Sequence, residues 1–244
     1  MTYCVGIMLD SGMVLASDSR TNAGVDHIAT FSKMTVFEHH RERVIILLSS
    51  GNLAVTQAVV NTLRHNAHRE GSHDHIMNTP SMFDAAALVG EALRDVQQRD
   101  GPYLLQRNIE ASANFILGGQ IAGEPQRLFT IYAEGNFIEA TPDTPYFQVG
   151  EIKYGKPIID RVVNAHTPLT EAAKCVLISF DSTMRSNISV GLPIDLLIYE
   201  KDSLRVGIQR RIKEHDPYFE MIHGQWGEGL KKVFAELPPP HWQD

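Results

Sequence analysis

Threonine stands at position two, directly behind Met1 and ahead of the apolar run Tyr3–Leu9. A Met followed by a small residue is a good substrate for methionine aminopeptidase, and trimming leaves Thr2 with a free α-amine beside its own hydroxyl. Nucleophile and base then belong to one residue. A hydroxyl is a weak nucleophile until a base takes its proton, and an α-amine with a pKa of about 7.7–8.0 titrates close to cellular pH. Such a site needs no histidine. It does need a cation to hold the amine neutral and a backbone N–H to receive an oxyanion, and the fold has to deliver both.

Other chemistries have less support. The chain contains no GxGxxG, P-loop, GxSxG or HExxH pattern. His65, His68, His73 and His75 fall at a helix end and in the loop after it, and His65 and His68 can share a helical face at ligand-like spacing. No carboxylate or cysteine completes the set, so a solvated polar loop is expected there, with no metal and no cofactor.

The elements that must hold Thr2 are legible as alternating blocks. The strands "YCVGIML" and "GMVLASD" are joined by the turn Asp10-Ser11-Gly12, and "RVIILLSS" is a third, buried strand. Asn52 is a competent N-cap for a helix that brings Leu53, Val60, Leu63 and the neighbouring Val59 toward one face. A second helix starts at Ser81, with Asp84 in capping-box position, and is expected to stop at Gly101-Pro102. Strand-like "ANFILGGQIAG", "RLFTIYAEG" and "FIEATPD" follow, then helical patterns at Gly155–Val163 and Pro168–Arg185. The strands "DLLIYEK" and "LRVGIQ", split by Asp202-Ser203, form a last hairpin before a helix over Pro217–Leu237. Strands and helices in blocks, rather than in single alternation, imply an α/β (α+β) architecture. Two antiparallel sheets pack face to face with helices outside, a four-layer αββα sandwich.

Length and composition agree with one such unit. The chain has 244 residues, 43% of them hydrophobic, enough for a single large core over residues 1–237, with 238–244 as a loose C-terminal tail. Twenty-two basic against 29 acidic side chains give a net charge of -7 without a Lys/Arg run, so nucleic acid is not an expected partner. Cys4 and Cys175 lie among apolar neighbours as free thiols do in a reducing compartment. No secretory signal pattern and no apolar stretch of the roughly 18 residues needed for a membrane span is present. The expectation is a cytoplasmic protein.

Thr2, Gly6, the segment "GMVLASDSRTNAG", Lys33, and Gly51 within "SSGNLA" together resemble the N-terminal signature of proteasome β subunits, which are N-terminal nucleophile (Ntn) hydrolases. More closely, "MTYCVGI" and "LASDSRTNAGVDHIATFSKM" resemble Anbu, the bacterial ancestral-beta homologues of the proteasome, and "FDSTMRSNISVGLPIDLLIYE" extends the likeness along most of the chain. The resemblance implies an Ntn-hydrolase fold and a threonine peptidase. In it Thr2 is the nucleophile, Lys33 the cation, Asp18 the residue that orients it, and Gly51 the oxyanion donor. Ser189 would hydrogen-bond the terminal amine, and Asn22 and Leu53 would pair with substrate backbone. It further implies a peptide or unfolded-protein substrate and self-association into a ring or an open, ring-like spiral, and it names no unfoldase.

The chain departs from that pattern in three places. Lys33 lies one residue nearer to Thr2 than in most proteasome β subunits. The usual Gly-Ser after the middle strand stands here as Gly150-Glu151, and the usual Asp-x-x-Ser-Gly as Ser186-x-x-Ser189-Val190. Ser186 is then an uncharged stand-in for the Asp, while Glu151 has two directions open to it, toward Thr2 or toward solvent. Taken singly, each residue also has an ordinary reading: Asp18 as a turn or cap residue, Lys33 as a solvated surface lysine, Gly51 as the hinge of a strand into a helix, Ser186 and Ser189 as local backbone binders. Two further functions therefore stand beside the peptidase: a non-catalytic assembly subunit of the same fold, and an Ntn amidase acting on a small amide.

Overall fold

The computed structural model describes residues 2–22, 28–67 and 75–241. The first hairpin forms as its turn chemistry dictates. β1 (Tyr3–Leu9) and β2 (Gly12–Asp18) pair antiparallel with Leu9 opposite Gly12, leaving Asp10 and Ser11 as a two-residue loop. Both strands are apolar at almost every position because both faces are covered. They lie at the centre of a five-stranded sheet of order β10-β1-β2-β11-β12, in which β10 is Tyr146–Gly150, β11 is Ile194–Glu200 and β12 is Ile208–Ile212.

A second five-stranded sheet, β5-β6-β7-β8-β9, packs against the first. Its strands are β5 (Met34–His39), β6 (Arg43–Gly51), β7 (Ala113–Ile121), β8 (Arg127–Ile131) and β9 (Phe137–Glu139). A short ribbon of β3 (Arg20–Asn22) and β4 (Ile28–Thr30) stands apart from both. Between the sheets, Cys4, Met13, Leu15, Val44, Ile46, Leu48, Ile116, Leu128, Leu197 and Tyr199 form one buried cluster.

Helices close the sandwich on its two outer faces. α1 (Leu53–Ala67) and α2 (Met82–Leu105) cover the second sheet, burying Val55, Val59, Leu63, Val89 and Leu93 against Ile45, Leu47, Phe115 and Phe129. Asn52 caps α1 through Oδ1, which accepts from the Ala54 and Val55 amides, and Ser81 caps α2 through the Asp84 amide. α3 (Lys156–Val162), α4 (Leu169–Ser186) and α5 (Pro217–Glu236) cover the first sheet, with Val176 and Phe180 of α4 set on Tyr3, Val5 and Val14. The four layers are therefore helix, sheet, sheet, helix, as the block order implied. No described helix is long and apolar enough to cross a membrane.

Three sequence readings are corrected. α2 runs through Gly101-Pro102 to Leu105, with Pro102 in the exposed last turn, where losing one backbone hydrogen bond costs less than in the buried body of a helix. The strand read in "LRVGIQ" begins only at Ile208. Leu204, at φ 45°, is held outside the ladder, and its amide is bonded to the Tyr199 hydroxyl. His75 is buried rather than solvated, while His65 is exposed and His68 and His73 lie outside the described residues.

Leu48 is fully buried between the sheets, two residues ahead of the segment Ser50-Gly51. Leu48→Ala is expected to lower the unfolding free energy by about 2–5 kcal/mol, measured by chemical denaturation at fixed protein concentration.

Candidate functional site

Thr2 precedes the first strand and is 7% exposed. Its position is fixed from both sides of the peptide that follows it. The Thr2 carbonyl accepts the Glu151 amide at 2.7 Å, which carries the β1–β10 pairing one residue past Tyr3 opposite Gly150. The next amide, that of Tyr3, donates to Asp18 Oδ1 at 3.0 Å. The Tyr3 side chain anchors the same residue to the helix layer. Its hydroxyl lies 3.0 Å from Ser179 Oγ and accepts from Gln148 Nε2, its ring lies against Phe180, and burial pushes the phenol well above its ordinary pKa.

Gly150 makes this approach sterically feasible. Its φ is +87°, and a Cβ there would lie 2.0 Å from the Thr2 carbonyl oxygen. No side chain fits between the end of β10 and Thr2.

Asp18 ends β2 and is fully buried. The same oxygen that takes the Tyr3 amide also accepts Lys33 Nζ at 2.7 Å, and Lys33 is itself only 7% exposed. A second bond from Lys33 Nζ, 2.7 Å to the Arg20 carbonyl, ties the ammonium to β3. Burial pushes the Asp18 carboxyl above the usual carboxylate range, and the charge of Lys33 is the strongest influence drawing it back. The ordinary readings of both residues are thereby excluded: Asp18 caps no turn, and Lys33 is not a solvated surface lysine.

The remaining residues singled out in the sequence lie on three further segments. Gly51 ends β6 with φ +118°, and a Cβ there would meet the Ser112 carbonyl at 2.4 Å, so backbone geometry alone requires glycine. Leu53 opens α1 and is half-buried, and Asn22 closes β3 opposite Ile28, its side chain outside the described residues. Ser189 is half-buried in the loop after α4, where its amide donates to Asn187 Oδ1 at 2.9 Å.

At the altered positions the structure corrects the reading of Ser186 and decides between the two directions open to Glu151. Ser186 is exposed and lines a groove of about 510 Å³ between α4 and α5, so it does not stand in for an aspartate at Thr2. Its neighbour Asn187 turns inward instead, donating from Nδ2 to Glu151 Oε2 at 2.9 Å. Glu151 is 6% exposed, so its side chain does not point to solvent. Sequence reasoning missed Asn187 and Arg20, and it noted Gly150 without its steric role. Arg20 donates to the Ile188 carbonyl at 2.9 Å, and its guanidinium fills the space beside Gly191. The only available signal was adjacency to the motif positions already singled out. Among the described residues, no group of three or more His, Cys, Asp or Glu is placed to hold a metal.

A double antiparallel sandwich with a buried threonine just ahead of its first strand and an Asp18–Lys33 ion pair at the end of its second is the proteasome β-subunit-like Ntn fold. The chain superposes on Anbu (ancestral beta-subunit) from Yersinia bercovieri with a TM-score of 0.93 at 53% identity, covering 99% of this chain and 100% of that one. The helical assembly of the Anbu complex from Pseudomonas aeruginosa matches with a TM-score of 0.94 at 51% identity over 98% of each chain. An Anbu (Gly-1) mutant from Hyphomicrobium sp. strain MC1 matches with a TM-score of 0.92 at 48% identity, over 99% of this chain and 100% of that one. No protein-family profile and no curated protein matches. The chain belongs to the Anbu family.

Removing Lys33 leaves Asp18 as a buried carboxylate without its counter-charge. A carboxyl whose folded pKa is raised binds protons more tightly folded than unfolded, so its ionisation erodes stability as pH rises above the ordinary carboxylate range. Lys33→Ala is therefore expected to lose about 3–5 kcal/mol near neutral pH. The deficit should shrink toward acid, where Asp18 is protonated. Denaturant unfolding of both proteins across pH measures it.

Proposed function

We propose that the protein is a threonine peptidase of the proteasome type, in which Thr2, freed of Met1, attacks a peptide carbonyl. The observation that supports this reading is the shared Asp18 oxygen, which takes the Tyr3 amide and the Lys33 ammonium at once and so links a buried cation to the residue that follows Thr2. Lys33 favours the Thr2 alkoxide and the neutral α-amine through one charge, so nucleophile and base both gain. The amine takes the hydroxyl proton, the Thr2 oxygen bonds to the carbonyl carbon, and the Gly51 amide receives the oxyanion. Return of the proton to the leaving amine breaks the peptide bond and leaves an acyl ester on Thr2. Water, deprotonated by the same α-amine, then hydrolyses that ester. In this reading Asn22 and Leu53 are the residues that pair with an extended substrate backbone, and Ser189 supplies the hydroxyl for the terminal amine.

Self-association goes with this function, since the Pseudomonas aeruginosa relative is described as a helical assembly. α5 and its C-cap leave Leu230, Val233, Phe234 and Leu237 exposed. We assign such helical faces to contacts between copies in a ring or open spiral.

The test is intact-protein mass spectrometry with a peptide epoxyketone, which bonds to both the hydroxyl and the amine of a terminal threonine. The purified protein is expected to begin at Thr2 and to gain one inhibitor mass. Thr2→Ala and protein retaining Met1 should gain none, since an acylated amine is no base. Full peptidase activity in a preparation that retains Met1 would overturn the mechanism. Light scattering of the same sample should report a many-copy assembly, and a fully active monomer would contradict the assembly reading.

A further inference from the structure

Glu151 is buried, anionic in ordinary chemistry, and unexplained by the mechanism above. Its amide closes the pairing with the Thr2 carbonyl, so the two residues face each other across β1 and β10. Side chains of directly opposed residues leave a sheet on one face with Cβ atoms roughly 4.5–5.5 Å apart. Gly150 carries no side chain between them, and the Thr2 carbonyl and Ser50 Oγ occupy the place a Cβ would take. Asn187 Nδ2 holds one carboxylate oxygen of Glu151, while Asn187 Oδ1 holds the Ser189 amide, so one residue positions both the carboxylate and the serine loop.

The other charges around Thr2 are already engaged. Asp18 of β2 is bonded to Lys33, and Lys33 is divided between Asp18 and the Arg20 carbonyl. Arg20 of β3 is bonded to Ile188, and Asp195 of β11 to Arg211 and Ser32. Glu151 is thus the acidic side chain on the opposite flank of Thr2 from the Asp18–Lys33 pair.

We propose that the Glu151 carboxylate is the counter-charge of the Thr2 α-ammonium, opposing Lys33 and restraining release of the general base. This rests on Thr2 being the mature N-terminus. Lys33 drives the amine toward its neutral, catalytic form, and Glu151 retains it as ammonium, so the two charges together set the pH at which the base becomes available. A hydroxyl at this position carries no such charge and leaves the cation unopposed. The consequence is an enzyme whose reaction with peptides is slow at neutral pH and rises toward alkaline pH.

The experiment is the pH dependence of α-amine acetylation at Thr2, read by peptide mass spectrometry on the assembled protein with acetic anhydride as probe. It requires no peptidase turnover. Glu151→Gln keeps an oxygen for Asn187 and removes the charge, and its amine is expected to titrate about one pH unit lower than wild type. Epoxyketone labelling at neutral pH should then be several-fold faster. Glu151→Asp, which withdraws the charge by one methylene, should titrate between the two, and it carries the test where the Gln variant does not assemble. Coincident titration of wild type and variant overturns the proposal. A shifted amine titration with no epoxyketone adduct on wild type would leave the counter-charge standing and remove the peptidase reading instead.

Discussion

One carboxylate oxygen organises this molecule's N-terminal end. Asp18 Oδ1 accepts the Tyr3 amide and the Lys33 ammonium together, and neither donor has water to fall back on. A buried carboxylate is costly unless paired, and a buried ammonium equally so. Each is tolerable only beside the other, and the pair is tolerable only because β2 and the segment leading into β5 hold it rigidly. The sandwich therefore supplies the geometry that makes the charges affordable, and the charges define the environment of the residue at the chain's start.

Around that pair the rest of the architecture acts as a clamp on Thr2. β10 grips its carbonyl through the Glu151 amide, and Gly150 permits the close approach. The helix layer holds the adjacent Tyr3 through Ser179 and Phe180. The loop after α4 is fastened at three points: Asn187 to Glu151, Ser189 to Asn187, and Ile188 to Arg20. Residues near a chain end ordinarily fray. Here three separate elements hold Thr2 and Tyr3 in place.

Anbu proteins share this scaffold, and the chain's departures from the proteasome β pattern concentrate at Glu151 and the 186–190 segment. Those two places are in contact through Asn187 rather than independent. Relative to that pattern one position gains a carboxylate, at Glu151, and another loses one, at Ser186, so the number of acidic side chains is unchanged while their position moves.

Much of the fold could be read from local pattern, because hairpin turns, N-caps and apolar runs are decided within a few residues. The Asp10-Ser11 turn, the caps Asn52 and Ser81, and the block order of strands and helices all belong to that class. Of the site, the chemistry latent in Met1-Thr2 was legible without any partner, and resemblance singled out Asp18, Lys33 and Gly51. Burial of Lys33, the inward turn of Asn187 in place of Ser186, the direction of Glu151 and the need for glycine at 150 were decided by tertiary packing alone. Their physical cause lies in residues far apart in sequence, brought together across a strand register and a helix end, and no window along the chain contains both members of any of these pairs.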